Sequence, residues 1–494
     1  MVGMAGRRRT ALIALAAALL ACACRGAALH ARAAQAVTAS PTYSWSKFNV
    51  NASRSGSETN ATGITSANVG SLHRTTVPLP GTPDSSPIFL HGVQVKGSTH
   101  NVFFLTTTYG RTVAVSATGT ILWTYTPSSY STYAGSYQIT TATPVAGPNH
   151  TFIYAATPNG LIHKLSVASG HEVTTGPWPQ RVTTLPAREK IAAALNIYGS
   201  RLYVTTGGYI GDQPPYQGHV VIISLKTGKK VGVWNSLCSG THHLLKPARC
   251  PKSDSAIFGR GGAVIDTSSG SARGNMLVAT GNGYWNGRQY WGDSVLELSP
   301  KGGRITHSFT PTDQATLDAT DTDVGSTSPA IIRNKGPVVV QGGKDGKLRV
   351  IPMGRQGVGH LGGSVQTLST PGGNELFSTP AVWKHGTTTW LFVADGSGTD
   401  AYRVSGEGRD TRLNHAWGNG TAGTSPVVAG GLLYIYDPGG TVDVYAPRTG
   451  NRLAQLAVGS GHWNSPIVAG GRVAVPVGDA NDHLTTGTLY LFGP

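Results

Sequence analysis

The chain is short of charge, aromatics, sulfur and helical pattern. Asp, Glu, Lys and Arg make up 13% of its 494 residues and Phe, Trp and Tyr 8%, with 4 Cys and 4 Met. Few stretches carry a 3.6-residue apolar period, which argues against a helical bundle or coiled coil. The 39 Lys and Arg outnumber the 23 Asp and Glu, but they form no blocks within the body of the chain. A diffuse positive surface of this kind suits solubility or adhesion to a cell wall and lacks the footprint of a nucleic-acid site. No P-loop, HExxH run or Ser-His-Asp elbow is present, so hydrolase and nucleotide-binding readings have no anchor. No Cys-x-x-Cys-His occurs either, so the chain attaches no c-type haem.

Glycine is abundant instead. The 67 glycines are about one residue in seven, twice the usual share of roughly 7%, and they show no G-X-Y period. That excludes collagen and points to a turn-dense, all-β chain whose 39% hydrophobic residues can bury a core.

Residues 1–36 read as an export signal. Arg7, Arg8 and Arg9 precede an apolar run from Ala11 to Ala23, too short to span a bilayer comfortably. Cleavage after Ala36 is one reading. A lipobox at Leu19-Leu20-Ala21-Cys22, leaving Cys22 lipidated as the only membrane attachment, is the other. Removing the five arginines of this segment leaves a formal charge of about +11 on residues 37–494. Cys238 and Cys250 then remain in an oxidising compartment, where a local disulfide is expected. His242 and His243 between them make a zinc site the competing reading, although adjacent histidines point apart in most extended backbones.

Self-similarity is the strongest pattern. A Ser or Thr followed by Pro opens each of six segments, at Ser86, Thr143, Ser328, Thr379, Ser425 and Ser465, and two more open without proline near Ala194 and Gly262. Each opening leads into β-rich runs separated by Gly-containing turns, such as residues 102–105, 202–205, 276–279 and 432–435 for the second strands. Runs of this composition suit strands buried on both faces. Eight four-stranded units of about 57 residues are longer than ordinary propeller blades, and the excess between the third and fifth units marks where a site should lie. The eighth unit stops at Phe492 without a fourth strand, whereas residues 72–79 form an orphan strand before the first opening. The expectation is an all-β, eight-bladed β-propeller of four-stranded antiparallel blades, with the N-terminal strand closing the last blade. A pair of β-sandwiches is the alternative fold.

A turn followed by tryptophan recurs at residues 116–123 and 225–234, with weaker copies at Gly170 and Gly450. This pattern resembles the repeat of quinoprotein alcohol dehydrogenase-like propellers, the pyrroloquinoline quinone (PQQ) repeat. The opening residues Trp45, Asn51, Arg54, Ser55 and Gly56 are similar to the first segment of the same proteins, and the likeness covers nearly all of residues 37–494. The stretch 281–287, then Gly292-Asp293-Ser294, then Thr310-Pro311-Thr312-Asp313, resembles the segment that supplies a calcium asparagine and, further on, the catalytic aspartate. The resemblance therefore implies calcium on Asn282, Asp313 and Asp212, and a base among Asp318, Asp321 and Asp323. It implies a quinone contacted by Lys344, with Phe258, Arg260 and Trp285 around it. Asp212 stands where the family has a glutamate, Phe258 and Arg260 where it has a stacking tryptophan, and the family's adjacent cysteine pair is missing.

Chemically such a set is coherent: calcium takes carboxylate and amide oxygens, and a carboxylate beside an alcohol can take its proton while a cofactor accepts hydride. Each residue also has a plainer reading. The aspartates can make Asx-turns, Asn282 can turn the chain between two glycines, Lys344 can be a solvated hairpin charge, and His462-Trp463-Asn464 reads as inter-blade packing. Two functions remain: a PQQ- and calcium-dependent dehydrogenase oxidising an extracellular alcohol, small or polymeric, with a separate electron acceptor; and a non-catalytic propeller binding an envelope protein or a glycan.

Overall fold

The computed structural model describes residues 42–246, 249–269, 274–333 and 337–494, the Pro337 side chain excepted. The expected leader and the Cys22 lipid site lie outside the described residues. Eight blade sheets follow one another around a ring, with a separate two-stranded ladder of Glu189–Lys190 and Gly207–Gly208. Blades 1 to 7 are built in chain order from residues 88–125, 145–181, 196–235, 264–309, 330–369, 381–419 and 427–457. Blade 8 takes three strands from residues 467–493, and its fourth is His73–Leu79, antiparallel to Gly487–Gly493 with Thr75 opposite Leu491. The last and first parts of the chain thus share one sheet, as the unpaired N-terminal run predicts, and a sandwich pair is ruled out.

The Ser/Thr-Pro openings have a structural role that accounts for their recurrence. They form a closed circle of inter-blade hydrogen bonds. The Ser86 N–H donates to Thr143 Oγ1 (3.0 Å), Leu195 N–H to the Thr143 carbonyl (3.1 Å) and Ala194 N–H to the Arg260 carbonyl (2.9 Å). Gly261 N–H donates to Ser328 Oγ (2.9 Å), Thr327 Oγ1 to the Ser378 carbonyl and Thr379 N–H to Ser425 Oγ (2.9 Å). Thr424 Oγ1 reaches the Asn464 carbonyl (2.6 Å), and Ser86 Oγ closes the circle on the Ser465 carbonyl (3.0 Å). Proline follows at a strand start, where its missing N–H breaks no ladder bond.

The turn-to-tryptophan pattern likewise acts between blades. Trp123, ending blade 1, lies against Gly170 in the next blade's turn, where a Cβ would sit 2.6 Å from the indole, and its Nε1 donates to the Val167 carbonyl at 2.9 Å. Trp417 repeats the arrangement against Gly450 and the Pro447 carbonyl at 2.8 Å. Both glycines have φ above +70°, so conformation and close approach each call for glycine.

Residues 43–58 run through the middle of the ring. This segment bonds the first strand of every blade: Phe89 through Trp45, Ala146 through Ser46, Ile197 through Lys47, Ile265 through Ala52, Arg333 through Ser53, Val382 through Ser55, Val428 through Gly56 and Val468 through Tyr43. Arg54 is fully buried and donates to four carbonyls, those of Phe48, Ala194, Leu195 and Gly261. Its five-donor planar fork suits this role where a lysine would leave acceptors unmet. The first strands therefore line the axis, and the segment plugs it.

Cys238 and Cys250 form a disulfide, with S–S 2.07 Å, in the long connection between blades 3 and 4. Both thiols are consumed and His242 and His243 are exposed, so the zinc alternative is set aside.

Candidate functional site

A cavity of about 340 Å³ opens on the axis at the end of the ring where the Ser/Thr openings lie. Its walls are the loops that precede the first strands, together with the long connections of blades 3 to 5. The length excess read from the sequence thus falls at this site.

Arg260 spans the cavity base. Its Nη2 donates to the carbonyls of Asp84 (2.9 Å) and Trp463 (3.1 Å), linking the opening of blade 4 to those of blades 1 and 8. Phe258 lines the same cavity, as do Phe377 and Trp463, whose rings lie 4.8 Å apart. Asp323 is buried and faces Lys344, with Oδ2 2.5 Å from Nζ, while its Oδ1 accepts the Asn282 N–H at 2.8 Å. Burial pushes the Asp323 carboxyl above the ordinary range, against the pull of Lys344 and the Asn282 amide. Burial works in the opposite sense on Lys344, but Asp323 outweighs it and raises the lysine's proton affinity. The two form an ion pair. Asp321, left-handed at φ +53° and exposed, also reaches Lys344, at 3.4 Å. Asp212 sits at the cavity wall and accepts a 2.7 Å hydrogen bond from the Tyr216 hydroxyl, which burial and this carboxylate hold protonated.

Of the residues singled out from the sequence, the cavity therefore gathers Asp212, Phe258, Arg260, Asp321, Asp323 and Lys344. It also includes His462 and Trp463, read from the sequence as inter-blade packing, whereas Asn282, Asp313, Asp318 and Trp285 lie outside its lining. Asn282 contributes backbone groups, donating to Asp323 and accepting from Ser255 N–H at 2.6 Å, and is absent from the cavity lining. Asp313 precedes the helix Gln314–Ala319 and pairs with Lys347 at 3.2 Å, half exposed. Asp318 lies on that helix, away from the lining, with burial raising its carboxyl. Trp285 bridges Trp291 under the disulfide-bearing connection. Of the three expected calcium ligands, Asp212 lines the cavity, while Asp313 pairs with Lys347 and Asn282 is held by backbone hydrogen bonds outside the lining.

Two cavity residues, Lys190 and Asp84, escaped the sequence reading. Lys190 lies on the two-residue strand Glu189–Lys190, paired with Gly207–Gly208. Glu189 turns inward, accepting from Gln217 N–H (3.1 Å) and His219 Nε2 (3.0 Å). Burial opposes charge on His219, yet Glu189 and the 2.7 Å contact to Asn235 Oδ1 raise its proton affinity. Asp84, fully buried, accepts from His462 Nδ1 (2.8 Å), Trp463 N–H (3.1 Å) and Ala480 N–H (3.3 Å). Burial alone would raise its carboxyl; His462, Arg260 and the Ala480 amide more than offset that and hold it low. Asp84, His462 and Asp479 bring donor atoms within 4.8 Å of one another, the grouping among the described residues with the geometry to hold a metal. Its hydrogen bonds already satisfy it as a side-chain network. A lone Asp two residues before a Ser-Pro opening was the available signal for Asp84.

No family model matches the chain, and no characterised protein matches it by sequence. Solved structures do match its fold. The quinohemoprotein alcohol dehydrogenase of Comamonas testosteroni is 15% identical with a TM-score of 0.65, over 93% of this chain and 82% of that one. A europium-containing methanol dehydrogenase is 16% identical with a TM-score of 0.67, over 91% and 98%. BamB from Moraxella catarrhalis is 14% identical with a TM-score of 0.51, over 86% and 100%. The chain shares the eight-bladed propeller fold of these dehydrogenases.

Proposed function

We propose that the chain is a quinone-dependent oxidoreductase that removes a hydride and a proton from an alcohol in the axial cavity. The observation that carries this reading is the buried Asp323–Lys344 pair facing an enclosed space that also holds Phe258 and Arg260. PQQ is a flat tricarboxylate, and two cations beside an aromatic wall in a cavity of about 340 Å³ suit its charge and shape. Bound there, a quinone of this kind supplies the two-electron acceptor. Lys344 and Arg260 would hold its oxygens, and Phe258 would lie along its ring. Calcium fits less well, since of its expected ligands only Asp212 lines the cavity, and no step is assigned to it.

Asp323 is the aspartate with a place in the chemistry. Its carboxylate takes the hydroxyl proton of the alcohol, and burial, by raising its proton affinity, suits it as a base. Lys344 keeps it ionised beforehand and offsets negative charge developing nearby. Asn282 orients it through the backbone. Electrons leave to a separate carrier, since the chain has no haem-attachment motif. Export rests on the basic and apolar leader and on the Cys238–Cys250 disulfide.

A second reading is a non-catalytic scaffold binding an envelope protein or glycan on this face. Its support is that Asp323 and Asp84 already have protein partners in Lys344 and His462. Calorimetric titration of the purified protein with PQQ, with and without calcium, followed by dye reduction with a panel of alcohols, separates the two. Micromolar uptake, with turnover abolished but uptake kept in Asp323→Asn, supports the oxidoreductase. Absence of micromolar uptake under both conditions ends that reading.

A further inference from the structure

Lys190 has no role in the scheme above, yet its placement is among the most constrained in the cavity. Successive residues of a strand point to opposite sides. Glu189 is committed to the buried His219, Gln217 and Thr183 network, so the next side chain is driven the other way, into the axial cavity that it lines. There the ammonium meets the Tyr209 ring, 6.0 Å from its centroid, and makes no hydrogen bond or ion pair among the described residues. The other cationic groups on the cavity wall each have a protein partner but keep further N–H donors: Lys344 pairs with Asp323, Arg260 uses Nη2 on the Asp84 and Trp463 carbonyls, and His462 meets Asp84 through Nδ1.

We propose that Lys190 is an amine nucleophile, forming a Schiff base with a carbonyl compound that carries a carboxylate, an aldehyde or keto acid whose anionic group is bound by Arg260 and Lys344. The nitrogen lone pair attacks the carbonyl carbon, forming the C–N bond while the π pair moves to oxygen. The amine gives up both its protons, the oxygen gains two and leaves as water, and the imine remains. No electrons are gained or lost overall. Asp212 and His462, on the same walls, are the groups available to carry protons.

The electrostatics agree with this assignment. Desolvation pulls the Lys190 amine down to about 8, with Asp84 and Asp212 opposing and Arg260 assisting. At pH 7.5 roughly a quarter of it is then neutral, against about one part in a thousand for a solvated lysine. Lys344 is driven the other way by Asp323 and stays charged, so the two lysines of the cavity divide the roles of nucleophile and anion anchor.

The test is reductive trapping of the whole protein with glyoxylate and cyanoborohydride, read by peptide mass mapping. Lys190 should be modified at least about tenfold faster than any other lysine, with a rate that climbs toward pH 8. Acetaldehyde, lacking the carboxylate, should label it several-fold more slowly, and Lys344→Ala should erase that preference. Lys190→Arg should abolish the fast adduct. Modification spread evenly over surface lysines, or undiminished in Lys190→Arg, overturns the proposal. The wild-type map is decisive even where a variant folds poorly. The probe contains no quinone, so failure of PQQ uptake leaves the outcome untouched, and the reverse also holds.

Discussion

Replacing Lys344 by alanine strands a buried charge, and the cost depends on pH in a way that tests the electrostatics of the cavity. The Asp323 side chain is 4% exposed and that of Lys344 16%, so solvent screens the pair little. Removing one member of a buried pair costs about 3–5 kcal/mol. For a chain of this size, with roughly 2 cal/mol/K of unfolding entropy per residue, that is a fall of about 3–5 °C in Tm. The Asn282 N–H bond remains and keeps the loss toward the lower figure. The Asp323 carboxyl is raised in the folded state, so ionisation opposes folding. Its contribution is most favourable below the unfolded carboxylate value, near pH 4, and is lost as pH rises above it. Taking away Lys344 enlarges that loss. Lys344 itself, raised above the ordinary lysine value, contributes fully at any pH below that value and only fades in strong alkali. The deficit of Lys344→Ala, measured by thermal or urea unfolding, should therefore be large at pH 8 and shrink toward pH 5. Adding Asp323→Asn should restore much of it. An equal deficit at both pH values, or strict additivity in the double variant, would refute the buried-pair account.

Other outcomes follow from the same geometry. The Asp254 carboxyl, raised to about 6 by burial and by Asp212, weakens the fold as pH climbs from about 4 through 6, so Asp254→Asn should stabilise the protein at pH 7.5 and change little at pH 4. Arg54→Lys leaves carbonyls of the axial plug unpaired, and urea unfolding should show a loss of at least about 3 kcal/mol. Removing the disulfide with Cys238→Ala and Cys250→Ala should cost up to about 3 kcal/mol and expose the blade 3–4 connection to limited proteolysis, the loop it closes being short.

Much of the architecture was legible because it repeats. Ser86, Thr143, Ser328, Thr379, Ser425 and Ser465, with the proline-free openings near Ala194 and Gly262, each precede one blade, and the orphan run ending at Leu79 matched the missing fourth strand of the eighth unit. The site was legible where a residue sits in a loop just ahead of a first strand, as Phe258, Arg260 and Asp323 do. Asn282, Asp313 and Asp318 are not among the residues lining the cavity, because sequence neighbourhood does not report where a side chain ends up: Asp313 pairs with Lys347, and the Asp318 carboxylate meets the Gly283 amide. Asp84 carried only its place two residues before a Ser-Pro opening, and nothing adjacent to Lys190 in sequence signals a cavity.

Local periodicity, glycine turns and strand propensity are properties of the chain itself, and they were enough to determine the number of blades and the way the ring closes. Which side chains meet on the axis is decided only when eight separate loops converge. Contacts such as Arg260 with Trp463, or Arg54 with Leu195, join residues more than a hundred positions apart, and no local pattern encodes where such partners stand.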